Sequence, residues 1–182
     1  ADVFVVFAKI DGRRFSAFIV EKTDPGFSVG AEEHKLGIKG SSTCQLILED
    51  VVVPAANLLG EEGLGHRIAF NILNVGRLKL GAAALGGARE CLEYAVTYAS
   101  ERKQFQTPLV EFGAVQRKVA DMAVRIYVAD AASYRTAGLI DRRIDAIDPK
   151  ADDYDHQVVK AIEEYTIEQS IVKVFGTETL DF

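Results

Sequence analysis

The sequence predicts an α+β fold, in which a partial antiparallel β-domain is followed by an up-down bundle of long helices. The first sixty residues contain runs of β-branched and aromatic residues separated by turn signals, which is typical of short strands. From about Gly65 onward, apolar residues recur at three- and four-residue spacing, which is typical of amphipathic helices. We therefore predict two domains, a partial β-domain over residues 1–60 and a partial helical-bundle domain over residues 61–182.

A hairpin is predicted at the start of the chain. Residues 3–10 and 13–20 are two runs rich in β-branched and aromatic side chains. Asp11-Gly12 lies between them, and both residues of such a pair favour the positive φ that a tight hairpin turn requires. These residues therefore predict two paired antiparallel strands.

Further strands are predicted from the residues that follow. Asp24-Pro25-Gly26 marks a turn, residues 27–29 form a short strand-like run, and residues 43–53 form a longer one that Pro54 ends. About four strands are too few to close a barrel. We therefore expect other strands of the same domain to precede Ala1.

These residues bear on two kinds of small-ligand site, a phosphate cradle and a metal site. The stretch Lys39-Gly40-Ser41-Ser42-Thr43 is compatible with a phosphate cradle, although most such stretches are ordinary loops. His34, His66 and His156 are dispersed, and none lies at metal-ligand spacing from another ligand. The sequence therefore predicts no metal site.

Composition and charge exclude several classes of protein. The chain of 182 residues is long enough to bury a core. Its contents of 48% hydrophobic and 26% charged residues are ordinary for a globular protein. A net charge of −6, without a dense block of Lys and Arg, argues against nucleic-acid binding. Cys44 and Cys91 lie far apart and predict free thiols in a reducing compartment, either a bacterial cytoplasm or a mitochondrial matrix. Neither a signal peptide nor an apolar run long enough to cross a bilayer is apparent.

Three long helices are predicted in the second domain. Residues 65–102 contain no proline and repeat apolar residues at helical spacing, and residues 110–143 carry a second apolar stripe. A third helix is predicted from Tyr154, after an exposed loop over residues 144–155, with an end or a kink at Gly176. The short connections imply antiparallel packing of neighbouring helices.

Small residues at 81–88 interrupt the first of these helices. Glycine costs about 1 kcal/mol relative to alanine inside a helix, so several glycines there indicate that another helix approaches closely. Three helices alone also leave an apolar face uncovered. We therefore expect association with another copy of this chain or with another chain.

The stretch Glu101-Arg102-Lys103-Gln104-Phe105 closes the first long helix and allows two interpretations. In the first interpretation, the cations offset the negative end of the helix dipole. Alternatively, Arg102 binds a phosphate of a cofactor and Phe105 packs on the rings of that cofactor. Arg77, inside the same helix, is by default expected to pair with a nearby carboxylate.

Five short motifs follow one another at plausible spacings. They are, in chain order, Val51-Val52-Val53-Pro54, Asn57-Leu58-Leu59-Gly60, Glu62-Gly63-Leu64-Gly65, Asn74-Val75-Gly76-Arg77 and Glu101-Arg102-Lys103-Gln104-Phe105. This succession resembles the acyl-CoA dehydrogenase family and, within it, the very-long-chain type. The resemblance extends from Asp2 to about Phe175. It implies that the two predicted domains are parts of the family's middle and C-terminal domains.

The resemblance implies an activity and its partners. Family members oxidise an acyl-CoA to the trans-2-enoyl-CoA with FAD as cofactor, in fatty-acid β-oxidation. Long-chain acyl-CoA is therefore the expected substrate, electron-transfer flavoprotein the expected electron acceptor, and a homodimer or dimer of dimers the expected assembly. Two alternatives remain open, namely an acyl-CoA oxidase and a non-catalytic helical scaffold of the same fold.

The resemblance also assigns roles to particular residues. Those expected at the substrate are Asn74, Val75, Gly76 and Arg77. Those expected at the FAD are Arg102, Lys103, Gln104, Phe105, Leu109, Phe112, Gly113 and Val115. Many relatives have Gln in place of Gly113, so this chain lacks a polar contact there.

No residue of the chain matches the family's catalytic base. The resemblance places the common catalytic Glu beyond Phe182. A minority of relatives carry the base immediately before the Arg of the first long helix, where this chain has Gly76. We therefore expect these 182 residues alone to be inactive.

Overall fold

A computed structural model describes all 182 residues, which divide into two compact units, Ala1–Phe70 and Asn71–Phe182. The first unit contains strands and the start of a long helix, and the second contains the remaining helical residues. This agrees with the predicted order of strands followed by long helices. The domain boundary after residue 60 remains a prediction.

The first unit contains a three-stranded antiparallel sheet in the order β1-β2-β5. Strands β1 (Val3–Ile10) and β2 (Arg14–Glu21) pair along their full lengths, and the short β5 (Leu58–Leu59) pairs with the other edge of β2. Asp11 and Gly12 have φ of 51° and 68°, so the predicted hairpin turn is confirmed.

A second pair of strands consists of β3 (Phe27–Glu32) and β4 (Cys44–Leu48), which are antiparallel. The prediction that one strand covers residues 43–53 is wrong at its C-terminal end. Asp50 has φ of 51°, which is incompatible with an extended strand, so the ladder ends at Leu48.

Ser16 connects the sheet to the start of the long helix within this unit. Its side chain is fully buried, and its Oγ accepts a hydrogen bond of 2.9 Å from the backbone N–H of Gly63. A Cβ on Gly65 would lie only 2.6 Å from the carbonyl carbon of Ser16. The Glu62-Gly63-Leu64-Gly65 motif therefore has a packing role, because only glycine permits the helix to begin this close to β2.

Glu32 fixes the connection between β3 and β4. Its carboxylate accepts hydrogen bonds from Cys44 Sγ at 3.0 Å, from Ser42 Oγ at 2.7 Å and from the N–H of Thr43 at 2.8 Å. These bonds, with that from the Cys44 side chain contributing most, lower the pKa of Glu32 to about 2. The Ser42 hydroxyl and the Thr43 N–H of the stretch at residues 39–43 thus already bind a carboxylate, which does not support phosphate binding there.

The helical part consists of four helices. They are α1 (Gly65–Glu101), α2 (Gly113–Asp145), α3 (Tyr154–Glu163) and α4 (Thr166–Asp181). The prediction of a single third helix is wrong, because α3 and α4 are separate. Tyr165 leaves the helical conformation, with φ of −104° and ψ of 25°, and the buried Gln169 donates a hydrogen bond of 2.9 Å to the carbonyl of Ile162.

In the second unit, α2 packs against α3 and α4. The buried apolar residues of this core are Ala84, Leu85, Ala88, Ala99, Ile126, Ala129, Ile140, Ile147, Ala161 and Val172. An ion pair of 2.6 Å between Arg89 and Asp130 also connects α1 to α2. Helix α1 is therefore held by contacts with α2 as well as by its approach to α4, described next.

Glycines allow α1 and α4 to approach closely. A Cβ on Gly81 would lie 2.6 Å from Val172 Cγ1 and 2.8 Å from the Val172 carbonyl oxygen. A Cβ on Gly176 would lie 3.0 Å from the carbonyl oxygen of Gly81. The close helix approach predicted from residues 81–88 is confirmed. Gly176 does not end α4, which continues to Asp181, and it lies buried at this crossing.

Helix α1 also has the length and apolarity of a membrane span. An 18-residue window in it has a mean hydropathy of 1.2, and 22% of that window is buried. Helix α1 contains Arg77 and Lys79, so it is not an uninterrupted apolar run, and the absence of a membrane span stays a prediction. A long core helix can satisfy the same criteria, so α1 alone supports no assignment to a membrane.

The crossing at Gly81 leads to a stability prediction. Gly81→Ala should lower the free energy of unfolding by about 1–3 kcal/mol, because the new methyl group meets backbone atoms of α4 that cannot move aside. Gly86→Ala is the matched control, since a Cβ there meets nothing within 4 Å. Chemical denaturation followed by circular dichroism measures both variants. Equal stability of the two variants would contradict the close crossing.

The Glu32 cluster leads to a prediction about pH. Because the folded-state pKa of Glu32 is lowered from 4.5 to about 2, its contribution to stability is complete above pH 4.5 and is lost as the pH falls towards 2. Glu32→Gln should therefore flatten the acid side of the stability curve, measured as the free energy of unfolding against pH. Glu33→Gln, whose side chain makes none of these bonds, is the control. Parallel curves for wild type and Glu32→Gln would refute the prediction.

Candidate functional site

A short hairpin follows the end of α1. Strand β6 (Lys103–Gln104) pairs with β7 (Thr107–Pro108), and the N–H of Leu109 donates a hydrogen bond of 2.8 Å to the carbonyl of Arg102. Phe105 and Gln106 form the turn between the strands. This pairing brings Lys103 next to Pro108 and Gln104 next to Thr107, a short distance along the chain before the following helix begins at Gly113.

The hairpin turn is strained. Phe105 and Gln106 have φ of 51° and 66°, a region that favours glycine and costs other residues about 1–2 kcal/mol each. The Phe105 side chain is nevertheless 84% exposed, so burial of its ring within this chain does not offset that cost. Strained, exposed residues of this kind are concentrated at binding sites.

The hairpin also carries unpaired positive charge. Arg102 and Lys103 are exposed, and neither takes part in any of the five ion pairs of the structure. Gln104, beside them in β6, is exposed too. The interpretation of Arg102 as merely offsetting the helix dipole requires no ligand, but it does not account for the strained turn beside it.

The N-terminus of α2 adds hydrogen-bond donors to this region. Phe112 precedes the helix and supplies no side-chain cap, so the first backbone N–H groups of α2 lack a side-chain partner. Gly113 is exposed and has no Cβ neighbour within 4 Å. Leu109, Phe112 and Val115 are half-buried around this turn. Two cations beside a helix N-terminus form an environment that suits an anion.

A second group of candidate residues lies near the start of α1. Asn74 is only 3% exposed, and its Oδ1 accepts a hydrogen bond of 2.8 Å from Arg77 Nη1. Val75 and Arg77 are half-buried, whereas Gly76 is exposed. The expected ion pair between Arg77 and a carboxylate is wrong, since Arg77 takes part in none of the ion pairs.

The structure keeps the two groups of candidate residues apart. Arg77 and the end of α1 at Glu101 are separated by about 36 Å of helix, at 1.5 Å per residue. The first group therefore comprises Arg102 to Val115, which we call the hairpin site. The second comprises Asn74 to Arg77, which we call the α1 site.

Sequence reasoning missed two residues, one in the hairpin turn and one in α4, outside both sites. Gln106 completes the strained turn, but a Phe-Gln pair carries no turn signal comparable to Asp-Gly. Gln169 is fully buried between helices, although glutamine is usually exposed. Neither position has a sequence pattern from which its conformation or burial follows.

Comparisons with known proteins agree with this architecture. Residues 63–181 match the family model described as the acyl-CoA dehydrogenase C-terminal domain. The chain is 51% identical over 182 residues to a probable acyl-CoA dehydrogenase of Bacillus subtilis (strain 168), covering all of this chain and 31% of that protein. It is 44% identical over 147 residues to the mitochondrial short-chain specific acyl-CoA dehydrogenase of Bos taurus, covering 79% of this chain and 36% of that protein.

A solved structure also shows similarity to an acyl-CoA dehydrogenase. The acyl-CoA dehydrogenase from Bacillus anthracis, complexed with FAD, superimposes with a TM-score of 0.91 and 51% identity, covering all of this chain and 31% of that one. The chain thus spans about a third of the length of these relatives. On the family match over more than half of its residues, the chain belongs to the acyl-CoA dehydrogenase family.

Proposed function

We propose that the chain contributes the hairpin site and the α1 site to an FAD-dependent acyl-CoA dehydrogenase, which oxidises an acyl-CoA to the trans-2-enoyl-CoA. The observation that carries the proposal is the hairpin itself. In a chain of this family, it combines two unpaired cations with an exposed aromatic ring on a strained turn. A dinucleotide cofactor has the matching chemistry, namely phosphates and flat rings.

The residues of the hairpin site fit FAD. The Arg102 guanidinium has the geometry to bind phosphate oxygens with two hydrogen bonds, and Lys103 adds positive charge beside it. Gln104 offers an amide, and Phe105 offers a face for ring stacking. The proposed FAD site is completed, at the start of α2, by Leu109, Phe112, Gly113 and Val115. FAD, when bound, supplies the two-electron acceptor that the reaction requires.

The α1 site is proposed to face the acyl-CoA. Arg77 provides a half-buried guanidinium without a carboxylate partner, beside the side-chain-free position of Gly76. By the family resemblance, a positive charge there helps to orient the carboxylate that removes the α proton of the acyl-CoA. The carboxylate that removes this proton has no counterpart among the motifs of this chain.

The distance between the two sites supports an assembly of more than one subunit. Because about 36 Å of helix separate them, we propose that the hairpin site of one subunit binds the FAD of its neighbour, in a homodimer or dimer of dimers. Exposed apolar side chains provide surface for such contacts. They include Ile72, Leu73, Tyr94 and Tyr98 on α1, Val124 and Tyr127 on α2, and Ile167 and Ile171 on α4.

The acyl chain length and the electron acceptor complete the proposal. The order of motifs supports a long-chain substrate of fatty-acid β-oxidation, as in the very-long-chain type. A short-chain substrate is the competing possibility, because several of the relatives are short-chain enzymes. Electron-transfer flavoprotein is the proposed acceptor, and molecular oxygen is the acceptor if the protein is an acyl-CoA oxidase.

Removing the charge of Arg102 tests the hairpin site. Arg102→Ala should weaken FAD binding about tenfold to a hundredfold, since a hydrogen bond to a charged group contributes about 1.5–3 kcal/mol. The dissociation constant is measured from the quenching of flavin fluorescence. Arg135→Ala is the matched control, because Arg135 is an exposed arginine of α2 that forms no ion pair. Equal affinities for all three proteins would overturn the assignment of Arg102.

A substrate series tests the reaction itself. Purified full-length protein should be yellow, should be bleached by acyl-CoA under anaerobic conditions, and should give a higher kcat/KM with palmitoyl-CoA than with butyryl-CoA. A higher value with butyryl-CoA would show a short-chain enzyme. Release of hydrogen peroxide in air at the rate of turnover would show an oxidase. A colourless protein that acquires no colour with added FAD would support the non-catalytic scaffold.

A further inference from the structure

The first part of α2 carries no buried residue. Residues 113–125 are exposed or half-buried, and the first buried side chain of the helix is that of Ile126. Helical stability in proteins comes mostly from the packing of a buried face, so the start of a helix without one opens easily. Gly113 and Val115 of the hairpin site lie in this part. The shape of the hairpin site therefore depends on other contacts of these residues.

Phe182, which directly follows α4, provides such a contact. The centroid of its half-buried ring lies 3.3 Å from Lys118 Nζ and 3.9 Å from Arg125 Cζ. Lys118 and Arg125 are seven residues apart in α2. Their Cα atoms therefore lie on the same side of the helix, about 10.5 Å apart along its axis. Two long side chains from different turns of α2 thus converge on one ring.

Neither of these cations has a carboxylate partner. Lys118 and Arg125 take part in none of the five ion pairs of the structure. Two like charges repel each other, so their convergence requires an attraction, and the negative face of an aromatic ring supplies it. The ring of Phe182 therefore connects the start of α2 to the end of α4.

We propose that Phe182 is a positioning residue for the hairpin site. It holds the first turns of α2 through Lys118 and Arg125, and not by contact with the cofactor. The inference rests on the proposed function, because it concerns the affinity of the hairpin site for FAD. A site whose binding-competent arrangement is only partly populated binds its ligand more weakly, in proportion to that population.

Hydrogen exchange tests the contact in the absence of any ligand. In the full-length protein, Phe182→Leu keeps an apolar side chain but removes the ring. Amides of residues 117–121 should then exchange about fivefold faster, as expected from the loss of two exposed cation–π contacts. Amides of residues 126–140 should keep their wild-type rates, because buried side chains hold that part of α2. Phe182→Tyr retains an aromatic face and should restore slow exchange.

Two results of the exchange experiment would overturn the inference. The first is an equal rate at residues 117–121 in wild type and Phe182→Leu. The second is an equal acceleration along the whole of α2, which would show a general loss of stability and no local role.

The affinity for FAD tests the consequence for the hairpin site. Phe182→Leu and Lys118→Met should each weaken FAD binding about twofold to fivefold, measured from the quenching of flavin fluorescence. The double variant should bind no more weakly than Phe182→Leu alone, because both changes remove the same contact. Lys160→Met is the matched control, because Lys160 is an exposed lysine of α3 that forms no ion pair, and it should bind FAD as wild type does.

The outcomes separate this inference from the proposed function. Additive losses in the double variant, or wild-type FAD affinity in Phe182→Leu when Arg102→Ala binds more weakly, would overturn the role of Phe182 alone. Faster exchange in Phe182→Leu with unchanged FAD affinity would show a purely structural contact and would also overturn it. A full-length wild-type protein that binds no FAD would overturn the proposed function and this inference together.

Discussion

The contact of α1 with α4 through glycine is the constraint on which the arrangement of the second unit depends. Gly81 brings the backbone of α1 against Val172, and Gly176 brings the backbone of α4 against Gly81. Side chains larger than hydrogen would force the two axes apart, because the contacted atoms belong to the main chain. Since the α1 site and the hairpin site lie on and just beyond α1, this crossing fixes the helix that positions both of them.

Much of the fold follows from local patterns in the sequence. The proline-free periodicity of residues 65–102 and the Asp11-Gly12 turn both specify their elements, because each depends on residues that are neighbours in the chain. The separation of α3 from α4 does not follow from such a pattern. It depends on a conformation at Tyr165 and on the burial of Gln169, and tertiary contacts decide both.

The candidate site, too, follows only partly from the sequence. Cations before a proline-marked corner are compatible with a helix-dipole role or with an anion site at Arg102, and the structure leaves those cations without an ion pair. The turn at Phe105 and Gln106 had no sequence signal, because neither residue type prefers positive φ. Arg77 is predicted to pair with a carboxylate, but in the structure it contacts the Asn74 amide. Which partner Arg77 has depends on the residues that surround it in three dimensions.

The strained hairpin has a consequence for the energetics of recognition. Two paired strands and a backbone bond to Leu109 hold Phe105 and Gln106 in one backbone conformation before any ligand arrives. A loop that is ordered in advance loses little conformational entropy on association. The cost of ordering is therefore met during folding, and affinity at this position depends on how well the preset surface matches its ligand.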